Sequence, residues 1–334
     1  MAFIRYGFLT VAILLYACNA SYLQTEGSGQ NEISAKKETI KMPDKSLLGT
    51  LDKHRLVVAL TFDFDAESYW VGPAKMTSPS AISRGTYGAW EGIPRILRLL
   101  EKYDLPATFF IPGYTAEQHP EEVMAIARAG HEIGHHGYLH EPPNFLNEEQ
   151  EEEMLRKGTE ALEKVTGRRP LGFRSPSAEL SPNTLSFLTE MGFIYDSSMM
   201  ASDRPYLVSD PKSKREIMEI PISVELTDSP HFMFLYHPIV LPGLSSPSKV
   251  EEIWRGDFDG LYAERSDAVL NLTCHPQIIG RPHRIQMLER FICYMLEHEG
   301  VWFARMQEIA DHAKAEISKG VEIVPAEADK QGRF

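Results

Sequence analysis

The sequence has few cysteines and a shortage of basic residues, and each shortage excludes a class of protein. Only 3 of the 334 residues are cysteine, too few for a disulfide-rich scaffold. Lys and Arg number 34 against 47 Asp and Glu, which gives a formal charge of −13. Nucleic acids and anionic membranes bind basic surfaces, so we expect no nucleic-acid partner. With 43% hydrophobic and 24% charged residues, the chain has the composition of a packed globular protein.

Long hydrophobic runs are also missing, except at the N-terminus. The apolar stretch after Arg5 is shorter than a bilayer-spanning helix. Small residues around Ala20 follow it, as at a signal-peptidase site. The sequence Leu15-Tyr-Ala-Cys18 also resembles a bacterial lipobox, which would anchor a lipid on Cys18. We therefore expect residues 1–20 to be a signal peptide or a lipoprotein signal, and the protein to be exported.

The rest of the chain divides into a linker, one long patterned region and a tail. Residues 21–52 are rich in small and charged residues without periodicity, which is typical of a linker, and residues 316–334 are similar. Residues 53–315 alternate apolar strand-like runs with helical patterns. The predicted strands are Leu56–Asp65, Ala107–Gly113, His131–His136, Leu171–Arg174, Phe193–Asp196, Glu219–Ile222, Ala268–His275 and Val301–Ala304.

Helical patterns separate several of these strands, which predicts an α/β fold with a parallel sheet. Five helices are predicted: one that contains Pro94, one over about Pro120–Ala129, one from a cap at Asn147 to Gly167, one that begins at Ser181, and one over Arg284–His298. About seven strands favour a (β/α) barrel over an open sheet. We expect the two body cysteines, Cys274 and Cys293, to be buried free thiols.

Polar side chains stand at or just beyond the ends of several predicted strands. They are Asp63, Asp65, His136, His140, Arg174, Asp196 and His275. Strand side chains alternate, so Asp63 and Asp65 finish the first strand on the same side. Active sites of α/β barrels lie at the carboxyl ends of the strands. The sequence therefore predicts one site formed from several strand ends.

The sequence His136-Gly-Tyr-Leu-His140 has the spacing of two imidazoles on one face of a helical turn. With one carboxylate, such a pair forms a metal site that keeps positions open for water and substrate. His131 and His135 have the same spacing, so the spacing alone leaves two candidate pairs. The compact turn formed after the strand by Gly137 and two prolines favours the His136–His140 pair.

The predicted constellation suits hydrolysis of an amide-type C–N bond. A divalent ion held by Asp65, His136 and His140 would polarise a carbonyl oxygen and lower the pKa of a bound water. Asp63 would accept the proton of that water as a general base. Arg174 would pair with Asp63 and keep it ionised, and His275 would protonate the leaving nitrogen.

Four motifs in this order resemble the polysaccharide deacetylase (NodB-homology) family across most of residues 55–310. They are Thr61-Phe-Asp-Phe-Asp65, His136-Gly-Tyr-Leu-His140, Arg174-Ser-Pro176 and Leu272-Thr-Cys-His275. The resemblance implies a distorted (β/α)7 barrel and one divalent metal ion, usually zinc. By motif position, it makes Asp63 the base, His275 the acid, and Asp65, His136 and His140 the metal ligands.

The sequence also departs from the usual form of this family. Phe64 separates the two aspartates, Gly137 follows the first histidine, and Ser177 replaces a tyrosine. Asp196 matches the fourth motif only loosely, and we expect it to orient other site residues. These details resemble an atypical branch that contains peptidoglycan deacetylase-like enzymes, cyclic imide hydrolases and allantoinases.

Three functions follow from these observations. The first is a metal-dependent deacetylase that removes N-acetyl groups from a cell-wall or chitin-type glycan. The alternative is a hydrolase of small cyclic imides or ureides at the same site, and the third is a non-catalytic glycan-binding barrel. We expect Tyr138 and Tyr206 to lie near the substrate. The net charge favours a neutral glycan or small ring over a polyanionic polymer, and a homo-oligomer is left open.

Overall fold

The computed structural model describes residues 54–210, 212–235, 240–264 and 268–318. The predicted export signal with Cys18, and the predicted linker, lie outside the described residues. No helix in the described ranges is both long enough and apolar enough to cross a membrane.

Eleven strands are present in the described residues. They are β1 (Leu56–Asp63), β2 (Thr108–Ile111), β3 (Glu132–His135), β4 (Gly172–Phe173), β5 (Tyr195–Asp196), β6 (Tyr206–Ser209), β7 (Glu216–Glu219), β8 (Phe234–Leu235), β9 (Leu241–Pro242), β10 (Val269–Cys274) and β11 (Val301–Phe303).

Twelve α-helices accompany these strands in the same part of the chain. They are α1 (Ser68–Val71), α2 (Pro79–Tyr87), α3 (Ile93–Lys102), α4 (Gly113–Gln118), α5 (Pro120–Arg128), α6 (Glu148–Thr166), α7 (Thr184–Met191), α8 (Asp228–Phe232), α9 (Pro247–Glu264), α10 (Pro276–Ile279), α11 (Pro282–Leu296) and α12 (Met306–Ser318). A π-helical turn, Gly88–Gly92, joins α2 to α3, and 3₁₀ turns occur at Pro143–Phe145 and Pro176–Ala178.

One curled sheet contains nine of the strands, in the order β10-β1-β2-β3-β4-β5-β7-β6, with β11 also paired to β1. All of its pairings are parallel except that of β6 with β7. Non-strand segments bridge the side of β10 that faces away from β1: Val269 N donates to Asp203 O, and Thr273 N donates to Leu226 O. The predicted α/β class and the distorted barrel are confirmed.

The two faces of β1 explain how the barrel is filled. The first face packs beneath the surrounding helices with Leu56, Val58, Leu60, Phe62 and Phe64. The opposite face begins with Val57 and Ala59, which belong to a second apolar cluster with α12 residues such as Met306 and Ile309. Further along that face come Thr61 and then Asp63, both buried. The interior of the barrel therefore changes from apolar to polar towards the carboxyl end of β1.

Several predicted boundaries differ from the observed ones for identifiable reasons. The strand predicted at Glu219–Ile222 is instead Glu216–Glu219, because Pro221 has no N–H to donate to a ladder. The helix predicted from Ser181 begins at Thr184, whose hydroxyl accepts the Ser181 N–H in a preceding turn. The helix capped by Asn147 is confirmed, with a reciprocal capping box between Asn147 and Gln150.

Both body cysteines are free thiols, as predicted. Cys274 is buried, whereas Cys293 is only partly buried and lies 3.2 Å from the Tyr103 hydroxyl. The last helix continues to Ser318, three residues into the segment predicted as tail.

Candidate metal centre and active site

Three side chains meet at the carboxyl end of the sheet with the composition of a metal site. Asp65 Oδ1 lies 3.6 Å from His136 Nε2 and 3.7 Å from His140 Nε2. One potential ligand atom from each residue lies within 4.8 Å of the other two, and all three side chains are buried. The structure thus brings together the aspartate and the histidine pair selected from the sequence.

The backbone between the two histidines is not helical, so the predicted helical turn is wrong. β3 ends at His135, and the following loop contains two residues in the left-handed region, Gly137 at φ 75° and His140 at φ 59°. The Glu141 carboxylate accepts the backbone N–H groups of Tyr138 and Leu139, which fixes the turn. Left-handed backbone at non-glycine residues is costly and concentrates at functional sites, which fits the position of His140.

The donor set of this cluster fits a zinc-type ion. Two ligands about 2.1 Å from one ion at a tetrahedral angle lie about 3.4 Å apart, a few tenths of an ångström less than the observed separations of 3.6 and 3.7 Å. Asp65 Oδ1 is buried and has no hydrogen-bond partner in the described chain. His136 Nδ1 lies 2.7 Å from Arg174 O, and the proton on Nδ1 therefore leaves Nε2 free as a ligand. Two imidazoles and one carboxylate with open positions are typical of catalytic zinc.

Burial sets the protonation of the three candidate ligands. It lowers the pKa of His136 and lowers that of His140 well below its usual value, so both imidazoles are neutral. Burial also raises the pKa of Asp65 to about 7, although Gln277 Nε2 donates to Asp65 Oδ2 at 3.1 Å. A cation beside Asp65 would favour its ionised form. Neutral imidazoles and a carboxylate are the forms that bind metal ions.

Asp63 is held as an ionised carboxylate next to this cluster. Arg174 Nη1 donates to Asp63 Oδ1 at 2.9 Å. Burial raises the pKa of Asp63, but Arg174, His136 and His275 together lower it by more, and the resulting pKa is below the ordinary value. A buried carboxylate without such partners would cost several kcal/mol. The predicted Asp63–Arg174 pair is therefore present, and it keeps Asp63 charged.

Arg174 is fixed by a buried polar layer inside the barrel. Its guanidinium also donates to Thr61 Oγ1 at 2.9 Å, to Ser197 Oγ at 3.1 Å and to Asn271 Oδ1 at 3.2 Å. The guanidinium carbon lies 4.2 Å from the centre of the Phe110 ring. These contacts hold Arg174 in one orientation, so the position of Asp63 is also fixed.

His275 faces both aspartates and is supported by a residue that the sequence did not reveal. His275 Nε2 lies 4.0 Å from Asp63 Oδ2 and 3.9 Å from Asp65 Oδ2. On its other side, Nδ1 lies 2.6 Å from Asp228 Oδ1, and the backbone N–H of His275 donates to Asp228 Oδ2. Burial lowers the pKa of His275, but Asp228 and the two site aspartates raise it by more than burial lowers it. The resulting pKa is about 10.

Asp228 is fully buried at the start of α8. It was missed because it lies far from the other motifs and in a stretch with little periodicity. The only signal was Asp228 before Ser229-Pro230, a pattern typical of a helix start, and this pattern does not distinguish a functional acid from a capping one.

Asp196 lies next to the site without touching the metal cluster. It is fully buried on β5 and accepts from Ser198 Oγ at 2.7 Å, and that hydroxyl oxygen accepts the Ser175 N–H. Burial raises the pKa of Asp196 to about 6, and the pKa of the neighbouring Glu219 is raised well above its usual value. Asp196 is thus connected to Arg174 through Ser198 and the backbone of Ser175, and its neighbour Ser197 accepts hydrogen bonds from the guanidinium; its orienting role stays a prediction.

The two tyrosines predicted near the substrate lie in different environments. Tyr138 is partly buried, donates to Glu117 Oε2 at 3.0 Å, and has the Lys157 ammonium 3.8 Å from its ring centre. Tyr206 is 1% exposed on β6 and belongs to an apolar core cluster. This burial places Tyr206 in the core, whereas Tyr138 keeps some accessible surface near the loop that carries the two histidines.

The competing histidine pair has structural contacts. His135 is fully buried, with Nε2 3.1 Å from Leu155 O and Nδ1 accepting from Gly137 N. His131 packs against the Phe109 ring at 5.5 Å. Both nitrogens of His135 are therefore occupied, which leaves it no atom for a metal ion.

Comparison with known proteins gives the same family as the motifs. The polysaccharide deacetylase family model matches residues 51–195. A peptidoglycan deacetylase from Helicobacter pylori is 37% identical over 279 residues, which cover 77% of this chain and 95% of that protein. A peptidoglycan deacetylase-like protein, FGM2, from Gibberella zeae is 27% identical over 313 residues, which cover 82% and 93% of the two chains.

Solved structures with the same architecture include a polysaccharide deacetylase-type protein from Mycobacterium smegmatis. Its TM-score is 0.76 at 38% identity, and the match covers 82% of this chain and 95% of that one. Puue allantoinase has a TM-score of 0.70 at 29% identity, with coverage of 82% and 95%. From these matches and the converging motif residues, the chain belongs to the polysaccharide deacetylase family and is a hydrolase of C–N bonds other than peptide bonds.

Proposed function

We propose that the protein is a metal-dependent N-deacetylase that removes acetyl groups from amino sugars of a peptidoglycan or chitin-type glycan. The observation that carries this proposal is the placement of Asp63 and His275 beside the Asp65–His136–His140 cluster. An amide hydrolase needs a base, an acid and an electrophile around one carbon. The Helicobacter relative is named a peptidoglycan deacetylase, which supports the glycan assignment.

Asp65, His136 and His140 would hold one divalent ion, and we propose zinc because the donor set is one oxygen and two imidazole nitrogens. Such an ion would polarise the amide carbonyl and lower the pKa of a bound water. Gln277 orients Asp65 through the second carboxylate oxygen, and Arg174 O orients His136.

The proton transfers are assigned to Asp63 and His275. Asp63, ionised beside Arg174, takes a proton from the attacking water. The pKa of His275 is raised to about 10, so the imidazolium is present at neutral pH and donates its Nε2 proton to the leaving nitrogen. Water oxygen ends on the acyl carbon, the C–N bond breaks, and the products are acetate and a free amine.

The direct test is Asp63→Asn, which preserves the shape of the side chain and removes the base. We expect acetate release from N-acetylated oligosaccharides to fall by about 10²–10⁴-fold, while metal content measured by elemental analysis is unchanged. Unaltered activity in this variant would contradict the assignment of Asp63. Oligosaccharide binding by the metal-loaded protein with no activity at all would instead favour a non-catalytic glycan-binding barrel.

A second candidate, hydrolysis of small cyclic imides or ureides, is supported by the similarity to an allantoinase. The same base and acid would open the ring at one C–N bond, and the product would keep the new carboxylate and the leaving nitrogen, now part of an amide or urea group, in one molecule. A substrate panel separates the two candidates: glycan deacetylation releases acetate, whereas ring opening of a succinimide lowers its ultraviolet absorbance. Turnover of the ring compounds alone would replace the first proposal.

We also propose that the protein acts outside the cytoplasm, with residues 1–20 as its export signal. A polymeric cell-wall substrate requires an exported enzyme. Sequencing the N-terminus of protein isolated from cells tests this. A start near Ala20 or a lipid-modified Cys18 is expected, and an intact Met1 on active protein would contradict it.

A further inference from the structure

A cavity lined by arginine and aromatic side chains lies beside the metal centre. It measures about 250 Å³, and its lining includes Arg84, Arg281, Arg284, Trp70, Phe232 and Gln277. These residues come from the segments that follow β1 and β10 and from α8. The cavity is therefore at the same end of the barrel as the metal centre.

The three arginines of this cavity have no carboxylate partner. Within the described ranges, none of them forms an ion pair at 4.0 Å or less. Their hydrogen bonds and ring contacts are with neutral groups: Arg84 donates to Phe234 O, Arg284 donates to Ile278 O, and the Arg281 guanidinium carbon lies 3.6 Å from the centre of the Tyr87 ring. One carboxylate acts on Arg284 from beyond ion-pair distance: burial lowers the pKa of Arg284, and Asp228 opposes this. Three like charges around one small cavity repel one another, and an anion would relieve this repulsion.

Arginines elsewhere in the described ranges are of two kinds: some pair with carboxylates, and others, such as Arg55 and Arg169, donate to backbone carbonyls. Carboxylates pair with Arg95, Arg156, Arg174, Arg255, Arg290 and Arg305. Acids outnumber bases by 47 to 34 in the chain, so acidic partners are abundant. A cavity lined by three arginines and no acid is therefore a notable local excess of positive charge.

Gln277 connects this cavity to the metal centre. Its side chain lines the cavity, and its Nε2 donates to Asp65 Oδ2 at 3.1 Å. Phe232 lines the cavity from α8, the same short helix that begins with Asp228, the partner of His275. A substituent in the cavity would therefore lie one side chain away from the metal ligand Asp65.

We propose that this cavity binds a carboxylate carried by the substrate, next to the amide that is hydrolysed. The proposal rests on the proposed deacetylase function and specifies its substrate. Guanidinium groups recognise carboxylates with paired, charge-assisted hydrogen bonds. The volume is below the roughly 300–1,000 Å³ of pockets that hold drug-sized ligands, so the cavity suits one substituent. In a cell-wall glycan, the matching group is the free O-lactyl acid of N-acetylmuramic acid residues that carry no stem peptide, a group that N-acetylglucosamine lacks.

The test compares an oligosaccharide that contains N-acetylmuramic acid with its lactyl methyl ester, which has nearly the same shape and no charge. We expect the wild-type enzyme to have a lower KM for the acid. Arg281→Gln and Arg84→Gln should each raise the KM for the acid by about 10-fold or more, as expected for loss of a charge-assisted hydrogen bond. Both substitutions should change the KM for the ester much less than the KM for the acid, because the ester has no charge for the guanidinium groups to bind. Arg98→Gln, which removes an exposed charge on α3, should affect neither substrate.

Binding measurements separate failure of this proposal from failure of the proposed function. Calorimetry on metal-loaded Asp63→Asn protein compares N-acetylmuramic acid with its methyl ester, with and without Arg281→Gln. If wild type hydrolyses neither glycan but binding prefers the acid and needs Arg281, the carboxylate site stands and the deacetylase proposal fails. If both substrates are hydrolysed with equal KM and Arg281→Gln changes neither, the carboxylate site is refuted and the deacetylase proposal stands. Equal or absent binding of acid and ester also refutes it.

Discussion

The most informative change in this site is Asp228→Asn. Asp228 accepts two hydrogen bonds from His275, one from Nδ1 at 2.6 Å and one from the backbone N–H at 2.9 Å. Asparagine has one acceptor oxygen instead of two and no charge, so one of these N–H groups loses its acceptor. Asp228 does not belong to the candidate metal ligands, and we therefore expect the variant to keep its metal ion.

The expected size of the effect follows from the charge-assisted bond. A hydrogen bond to a charged group contributes about 1.5–3 kcal/mol, which corresponds to about 1–2 pKa units. In the wild-type protein, burial lowers the pKa of His275, and Asp228 is the main group that raises it to about 10. Without the Asp228 charge, the pKa of His275 should fall by about 1–2 units, because burial then has less opposition.

The assay is the pH dependence of kcat/KM for acetate release between pH 6 and 10.5. The general acid must be protonated, so the alkaline limb of the profile reports the pKa of His275 in the free enzyme. We expect this limb to move to lower pH by about 1–2 units in Asp228→Asn. Metal content is measured alongside, and His275→Gln serves as the control that lacks the limb. An alkaline limb at the wild-type pH in an Asp228→Asn enzyme of lower activity would refute the reasoning.

Three further predictions concern metal binding and stability. His136→Ala should lower both metal content and activity, since it removes one of three candidate ligands, and full metal occupancy in this variant would contradict the ligand assignment. Asn147→Ala removes the side-chain half of the α6 capping box, in which Asn147 Oδ1 accepts the Gln150 N–H, and should lower the free energy of unfolding by about 1 kcal/mol without changing kcat, as measured by urea titration and acetate release. The His275–Asp228 pair should also make stability depend on pH. The folded-state pKa of His275, about 10, is above the ordinary value near 6.5, so its stabilisation is complete below about pH 6.5 and is lost towards pH 10. Urea titrations of metal-free wild type and Asp228→Asn should therefore differ most at the low end of that range, and a difference that grows with pH would contradict this.

Much of the site could be predicted from sequence because the polar residues follow parallel strands. The carboxyl ends of parallel strands lie at the same edge of the sheet. The alternation along β1 sets the side on which Asp63 lies, and the same alternation, continued past the end of the strand, predicts Asp65 on that side. Parallel strands then bring the residues after β3 and β10 to the same edge of the sheet. The positions of the His136–His140 pair and of His275 relative to these acids follow from that topology.

The helical turn predicted for the His136–His140 pair failed for a local reason. Four-residue spacing gives convergent side chains in a helix, but it does not require one. Here two left-handed residues, Gly137 and His140, reverse the loop and bring the imidazoles together. Their ring centres are 4.9 Å apart and the rings are nearly perpendicular. Spacing left two candidate pairs, the turn after the strand favoured the pair that lies beside Asp65 in the structure, and the backbone conformation was beyond what spacing can specify.

The region between β5 and β10 was the least predictable part of the chain. It contains α9, where Trp254 and Phe258 are fully buried against Phe291 of α11. Gly256 and Gly260 interrupt the helical pattern, and each glycine costs about 1 kcal/mol in a helix interior. Tertiary packing of the aromatic residues overcomes this cost. Asp228 lies in the same region, and its pairing with His275 joins positions 47 residues apart, which no local pattern reports.

Net charge gave an expectation about the substrate that the proposed carboxylate site would reverse. A value of −13 favours a neutral substrate if charge is treated as a property of the whole molecule. Exposed charges are screened over about 8 Å at physiological ionic strength, so a substrate responds to the groups nearest to it. In this site the nearest acids have specific partners: Arg174 pairs with Asp63, and His275 pairs with Asp228. Arg84, Arg281 and Arg284 have no such acidic partners. The lining of the cavity beside Gln277 therefore contains more positive than negative side chains, and this excess is the basis for proposing an anionic substrate group there.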